Sequence, residues 1–368
     1  MNPQKHHIVI DARIINSSTG TYVERLLTYL QNIDQTNQYT VLVPAKDLNY
    51  WNPTNPNFKI MAADFKNYSL SEQIGFKKFL NSLSPDLVHF CMPQQPVLYH
   101  GKKVTTFHDL TLLNTYNSDK NWLVFHIKQM VGRFVFKSVA KSSNQIITPT
   151  KFTKDSLIEF AKINPDKVTV TYEAADAFID KLTPYNHPFK QFILYVGQQS
   201  DYKNIRRLGD AHQRLLSKYP DLGLILVGKL NASANKNKAY FESQNYHNIL
   251  FTDFIPNDQR DWLYTQAAAY IFPSLMEGFG LPGLEAMAYG TPVVCSRASC
   301  LPEVYGDAAV YFDPTIVANM ADKIESVITN NNLRLDLINR GKRQIMKYSW
   351  QKMAQETYEV YMKALNKQ

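Results

Sequence analysis

Residues 271–296 read IFPSLMEGFGLPGLEAMAYGTPVVCS. An apolar run ends at a glycine-bearing turn, a short helical pattern starts near Leu281, and Pro292 opens a second apolar run. Pro282 suits the first turn of a helix, where a missing N–H removes no hydrogen bond. Gly290 suits its end. Strand, helix, strand over so few residues is the unit of a parallel sheet. The first-turn N–H groups of such a helix, with the helix dipole behind them, form a site for an anion. Gly278 and Gly280 carry no side chain, so a phosphate or sugar can come close to the backbone there.

Two carboxylates frame this turn, Glu277 before it and Glu285 in the helix. Eight residues apart, they are not neighbours on one helical face. Ionised carboxylates only accept hydrogen bonds, which suits hydroxyl-rich ligands such as hexose and ribose. A general-acid pair is a second reading of the same spacing. A surface glutamate beside an ordinary helix glutamate is a third.

Outward from this stretch the same alternation covers the chain. In the first half the spacing predicts strands at His7–Ala12, Thr40–Val43, Asp86–Phe90, Lys103–Phe107 and Gln145–Thr148. Helical patterns cover Tyr22–Asn32, Leu70–Leu83 and Trp122–Ala140. In the second half strands are expected at Phe192–Val196, Gly223–Val227, Ile249–Phe251, Ala269–Phe272 and Pro292–Cys295. This is an α/β chain of two doubly wound, Rossmann-like domains. We place them at residues 1–178 and 179–345, joined within Glu173–Lys190, where periodicity lapses around Pro184 and Pro188. The remaining residues, 346–368, form a separate C-terminal segment whose helix, Trp350–Leu365, has an apolar face of Trp350, Met353, Thr357, Tyr358, Tyr361 and Leu365.

Bulk composition limits the function. A chain of 368 residues, 45% hydrophobic and 20% charged, is globular and large enough for two cores. The longest apolar run, Leu222–Gly228, is far below the ~20 residues needed to span a bilayer. Ile8–Ile10 is too short for the apolar core of a signal peptide. A cytoplasmic location is therefore expected, with peripheral contact at the inner membrane face left open by the charge. The net charge of +8 points to anionic partners, either a diphosphate or an acidic membrane surface. Its even spread argues against nucleic acid. Three cysteines, Cys91, Cys295 and Cys300, form no disulfide or zinc pattern and read as buried thiols.

Two other strand ends resemble ligand loops. Tyr195–Leu208, YVGQQSDYKNIRRL, runs from a strand through Gly197 and Gln198 to Lys203 at a helix start. A cation there opposes the helix dipole unless an anion lies between. A solvated lysine is the ordinary alternative. Val104–Leu110, VTTFHDL, brings His108 and Asp109 to the carboxyl edge of a strand, where open α/β sheets bind ligands. A histidine at a strand end is also often structural. Gly20, in STGTY (residues 18–22), lies in the first loop at the equivalent edge.

Taken together, EGFGLPGLE (277–285), GQQSDYKN around Lys203, HDL at 108–110, ITPTKFTKDSL at 147–157 and the closing SWQKMAQETYEVY resemble the family 4 glycosyltransferases. These are retaining enzymes with the GT-B fold of two facing Rossmann-like domains, in which a C-terminal helix crosses back to the N-terminal domain. YSLSEQIGFKKFL and SPDLVHF are most similar to bacterial mannosyltransferases of O-antigen and other surface polysaccharides.

The resemblance implies transfer of a hexose, mannose from GDP-mannose, to a glycan or lipid-linked glycan, with no cofactor. The absence of a D-x-D sequence adds that no divalent metal is expected. The resemblance gives Glu277 to the hexose hydroxyls, Glu285 to the ribose and Lys203 to the diphosphate. The amides of Phe279–Leu281 meet phosphate or sugar, His108 lies beside the hexose near the reacting carbon, and Gly20 lets the first loop approach the diphosphate. Relatives often carry an arginine at Gln198 or Tyr202, so the expectation is either that Arg206 or Arg207 substitutes or that donor affinity is reduced. Alternatives are a UDP- or ADP-sugar donor, a nucleotide-sugar-binding protein with impaired catalysis, and a nicotinamide-dependent oxidoreductase. The last is suggested by the G-x-G-x-x-G of 278–283 with Glu303 twenty residues after Gly283.

Overall fold

The computed structural model describes residues 5–17, 19–67, 69–114, 122–176 and 181–366, with the side chains of 112, 114 and 122–128 left aside. The chain forms two compact units. Of the described residues, those in 5–114, 122–173 and 349–366 belong to the first and those in 174–348 to the second.

The first unit holds a seven-stranded parallel sheet in the order β3-β2-β1-β4-β5-β6-β7. Its strands are β1 (His7–Asp11), β2 (Gln38–Val43), β3 (Phe58–Ala62), β4 (Leu87–Phe90), β5 (Lys103–Thr106), β6 (Gln145–Thr148) and β7 (Val168–Val170). The central strands are buried, so apolar residues such as Ile8–Ile10, Leu87 and Val88 share the interior with buried polar ones, among them His89, Lys103, Thr105 and Thr106. Helix Gly20–Ile33 follows β1 and buries Val23, Leu26, Leu27 and Leu30 at helical spacing. Helix Lys151–Ala161 is started by Thr150, whose hydroxyl accepts the Thr153 N–H at 3.1 Å.

The second unit holds a six-stranded parallel sheet in the order β10-β9-β8-β11-β12-β13. The strands are β8 (Gln191–Val196), β9 (Leu222–Val227), β10 (Ile249–Phe251), β11 (Ala269–Phe272), β12 (Val293–Ser296) and β13 (Ala309–Phe312). Helix Leu281–Ala288 carries Pro282 in its first turn, and Gly290, at φ +74°, follows its end.

Several sequence expectations change. Strands β3, β7 and β13 were not anticipated, and each is the outermost strand of its sheet. An edge strand is covered on fewer sides, so β3 (FKIMA) is mostly exposed and carries little apolar signal. The helix expected over 70–83 opens into a wide π-type turn at Ser71–Phe76 before tightening at Lys77–Ser82. Within that turn Gln73 accepts the Val97 N–H and donates to the Gln95 carbonyl, bridging to the next loop. The final helix, Trp350–Asn366, buries Ala354, Val360 and Ala364, while Tyr358 and Leu365 are only half-buried. It packs on helix Gly20–Ile33 inside the first unit.

Candidate active site

In the second sheet the chain runs outward from β8 to β9 and β10, and outward from β11 to β12 and β13. The carboxyl ends of β8 and β11 therefore border the switch point, the crevice where open α/β sheets bind ligands. Both loops named from the sequence emerge there. They are tied together by the Leu275 N–H to the Tyr202 carbonyl at 2.8 Å and by Asn204 Nδ2 to the Pro273 carbonyl at 3.1 Å.

This contact brings Lys203 against Glu277. Lys203 Nζ donates to Glu277 Oε1 at 2.5 Å, and the two side chains are only 14% and 12% exposed. Burial alone would lower the lysine's proton affinity. The Glu277 carboxylate, aided by Tyr195 and Tyr202, outweighs it and holds the ammonium well above its ordinary range. The ammonium also lies 5.1 Å from the Tyr202 ring centre and 5.6 Å from that of Phe272. Lys203 ends a tight turn, Asn204 follows at φ +62°, and helix Ile205–Leu216 begins next. The unfavourable placement of a cation at a helix start is thus offset by a carboxylate of the same chain.

The arginines expected to supplement Lys203 are engaged elsewhere. Arg206 bonds Asn237 Oδ1 at 3.3 Å and lies over the Tyr240 ring, while Arg207 bonds Asn204 Oδ1 at 2.9 Å. Gln198 is exposed, and its carbonyl accepts the Tyr195 hydroxyl. Gly197 is needed for its backbone, at φ +142° with its N–H on the Val227 carbonyl at 2.9 Å.

The glycine turn is fixed from one side. The Glu277 N–H donates to Ser299 Oγ at 3.0 Å. The Cys300 thiol lies 3.3 Å from both the Glu277 and Phe279 carbonyls, and the Tyr305 hydroxyl donates to the Gly280 carbonyl at 2.5 Å. Gly278 and Phe279 lie within this pinned segment and Leu281 opens the helix beyond it. Glu285, on that helix, accepts the Tyr264 hydroxyl at 3.3 Å. Burial pushes its carboxyl up, against the opposing pull of Arg260.

In the first unit the switch point lies between β1 and β4. His108, two residues past β5, donates from Nε2 to the Cys91 carbonyl at 3.0 Å, and its Nδ1 is 3.5 Å from Glu173 Oε1. The Tyr22 ring meets the imidazole edge-on at 4.8 Å. Behind it runs a buried polar line. Tyr22 OH is 3.0 Å from Thr106 Oγ1, which is 2.8 Å from His89 Nε2, and His89 Nδ1 is 2.6 Å from the Tyr361 hydroxyl. Burial, with His108 nearby, lowers the His89 pKa to about 3, so its ring is neutral at ordinary pH.

Asp109 accepts the Thr111 N–H at 2.8 Å, which gives it a structural task at a helix start. Gly20 also has a packing reason, since a Cβ there would lie 1.8 Å from the Ile15 carbonyl oxygen. The structure therefore gathers Lys203, Glu277, Gly197, Gln198 and Gly278–Leu281 at one crevice, with Glu285 on the adjoining helix. His108, Asp109 and Gly20 belong to the other unit. Sequence reasoning missed Glu173, Tyr22, His89, Ser299 and Tyr305. Their roles arise from contacts across strands, which no local pattern announces. Among the described residues no group of three His, Cys, Asp or Glu is placed to hold a metal ion.

Comparison with known proteins agrees with this architecture. Residues 19–177 match the model described as "Glycosyltransferase Family 4", and residues 185–344 match "Glycosyl transferases group 1". The O-antigen chain mannosyltransferase B of Escherichia coli is 30% identical over 291 residues, 72% of this chain and 74% of that protein. The serotype-specific mannosyltransferase WbdA of the same species is 27% identical over 280 residues, 72% of this chain, but this is only 34% of its own length. Among solved structures, the sucrose-phosphate synthase of Thermosynechococcus elongatus superposes with a TM-score of 0.77 at 16% identity, covering 98% of both chains. The oxidoreductase alternative falls with these matches, and Glu303 lies inside helix Leu301–Tyr305, not at a strand end. Two parallel α/β sheets, a family 4 model over the first half and a group 1 model over the second together establish that the chain belongs to the glycosyltransferases of GT-B fold.

Proposed function

We propose that the chain transfers mannose from GDP-mannose to a surface-polysaccharide glycan of the O-antigen type, with retention of configuration and without a divalent metal. The buried Lys203–Glu277 pair at the second unit's switch point is the observation that carries this reading. The E. coli relatives named as mannosyltransferases supply the sugar and the glycan class. Donor diphosphate arriving beside Lys203 finds a cation already charged, and the amides of Phe279–Leu281 border the same turn. Glu277 holds hexose hydroxyls, Glu285 the ribose, and His108 the transferring sugar, with Gly20 and Asp109 shaping the loops of the first unit.

In the step proposed, the acceptor hydroxyl oxygen bonds to the anomeric carbon on the face that the diphosphate leaves. The breaking C–O bond gives its electron pair to the diphosphate, and a phosphate oxygen takes the hydroxyl proton. Lys203 and the helix amides stabilise the charge that grows on that leaving group.

The test is incubation with GDP-mannose, UDP-glucose and ADP-glucose and a lipid-linked mannan acceptor, with and without EDTA, reading product linkage by NMR. Transfer from GDP-mannose that survives EDTA and gives an α-linked product supports the reading. Transfer only from another donor, or a β-linked product, refutes the corresponding part.

Peripheral membrane contact is part of the same proposal. On helix Trp122–Ser142, Met130, Val131 and Phe134 are 57–67% exposed, and Lys137 and Lys141 follow along the helix. Exposed apolar side chains beside lysines suit an anionic lipid surface. No helix among the described residues is long and apolar enough to cross a membrane. Flotation with phosphatidylglycerol vesicles should therefore be weakened by the Met130→Ser, Phe134→Ser double variant, and unchanged flotation would remove this part of the proposal.

A further inference from the structure

The glycine turn of the second unit is held at its carbonyl groups by two side chains of the segment that follows β12, while the Gly280 carbonyl also accepts the Gly283 N–H at 3.2 Å. The Cys300 thiol, with one proton to share, lies 3.3 Å from both the Glu277 and the Phe279 carbonyls, and the Tyr305 hydroxyl donates to the Gly280 carbonyl at 2.5 Å. Both donors are buried, Cys300 and Tyr305 at 0% exposure. Burial raises both groups well above their ordinary ranges, so each keeps its proton and stays a donor.

A trans peptide is planar, with its C=O and N–H on opposite sides. No cis peptide occurs among the described residues. Fixing the Phe279 carbonyl therefore turns the Gly280 N–H away from Cys300. Fixing the Gly280 carbonyl turns the Leu281 N–H away from Tyr305. The N–H groups of Gly280 and Leu281 are thereby oriented by two side chains that lie on the buried side of the turn.

The glycines complete the arrangement. A Cβ on Gly283 would lie 2.2 Å from the Tyr305 hydroxyl, and one on Gly280 would lie 2.6 Å from it. Gly280 also sits at φ +102°. These glycines therefore serve the approach of Tyr305 as well as any ligand on the other side.

We infer that Cys300 and Tyr305 are positioning residues that aim the N–H groups of the glycine turn at the diphosphate of the donor. This rests on the functional reading above and adds to it the residues that set the diphosphate cradle. Such preorganised N–H groups act on charge without having to reorient when it arrives. A thiol and a phenol behind the loop should therefore govern affinity for the diphosphate and leave affinity for the nucleoside alone.

The test measures binding of GDP, UDP and ADP, and of the corresponding nucleosides, by ligand-observed NMR and calorimetry. It compares wild type with Cys300→Ala, Cys300→Ser and Tyr305→Phe. The nucleoside serves as the internal check that each variant is folded around the base site. We expect Cys300→Ala and Tyr305→Phe each to weaken the bound nucleoside diphosphate about three- to tenfold, the effect of one lost hydrogen bond to a held group. Nucleoside affinity should stay within about twofold, and Cys300→Ser, which keeps a donor, should bind the diphosphate like wild type. Equal diphosphate affinity in all four proteins would overturn this inference and leave the functional reading standing. A loss in Cys300→Ser as large as in Cys300→Ala, or a parallel loss of the nucleoside, would also overturn it. Failure of the wild type to bind any of the three diphosphates would overturn the functional reading and this inference together.

Discussion

Lys203 and Glu277, seventy-four positions apart in the chain, meet at 2.5 Å because the loops after two adjacent strands cross at a sheet's switch point. Removing one member of a buried pair leaves the other charge uncompensated, which costs about 3 kcal/mol or more. Lys203→Met and Glu277→Gln should each lower turnover by about a hundredfold. The double variant should be less unstable than the single effects sum to, read from a denaturation cycle. Full additivity would show that the pair does not act as a unit.

The pH dependence of this pair has a definite sign. The folded Lys203 holds its proton more tightly than the ordinary 10.5. The stability it adds is then fully present below about pH 10.5 and is lost as pH rises through the higher folded value. The difference in melting temperature between wild type and Lys203→Met should be flat from pH 6 to 9 on the lysine's account and shrink only in strong alkali. A difference that shrinks between pH 7 and 9 would contradict this.

Acid should act through two buried histidines. His89 is lowered to about 3 and His212 to about 4, both chiefly by burial, against an ordinary 6.5. The unfolded chain therefore binds protons that the folded chain refuses. Stability is complete above pH 6.5 and falls as pH drops toward 4, by several kcal/mol in order of magnitude. His212→Gln should flatten the slope of melting temperature between pH 6.5 and 4.5 even where its absolute stability is lower. An unchanged slope would place the acid sensitivity elsewhere.

Glycine substitutions should separate cleanly. At Gly20 a Cβ would come within 1.8 Å of the Ile15 carbonyl, whereas at Gly132 the nearest atom is a Leu113 methyl at 3.6 Å. Gly20→Ala should be destabilised by more than about 2 kcal/mol through backbone overlap. Gly132→Ala, in a helix interior, should gain about 0.5–1 kcal/mol. Urea titrations of both variants check the contrast.

The two glutamates of the 277–285 segment should differ in kinetics. Glu277 is paired with Lys203, while Glu285 lies on the helix against Tyr264 and under the pull of Arg260. Glu285→Gln should mainly raise KM for the donor, about tenfold, with kcat little changed, as loss of uniform binding does. Glu277→Gln should act on kcat. Initial-rate kinetics decide between them.

How much could be read beforehand follows from these residues. Strands such as β9 and β11 were legible because burial on both faces gives continuous apolar runs, and the helix at Leu281 because Pro282 and Gly290 mark a helix by their own backbone limits. Lys203 and Glu277 were both legible as loop residues at strand ends. That they pair was not, since strand order decides which loops meet and no local pattern carries strand order. Edge strands β3, β7 and β13 escaped because they need less apolar surface. The His89–Tyr361 bond spans 272 positions and was likewise out of reach.

The residues of the first unit are not contiguous in the chain. Helix Trp350–Asn366 packs there, after the whole second unit has been spelled out between residues 174 and 348. During synthesis the second unit can thus finish its core while the first still lacks a helix, reversing the usual order in which the domain made first is completed first. For the time needed to translate about half the chain, the surface that will receive Met353, Thr357 and Tyr361 stands open. A chain ended at residue 348 and held on the ribosome by a linker long enough to fill the exit tunnel should accordingly carry a protease-resistant second unit and a first unit that still binds chaperone.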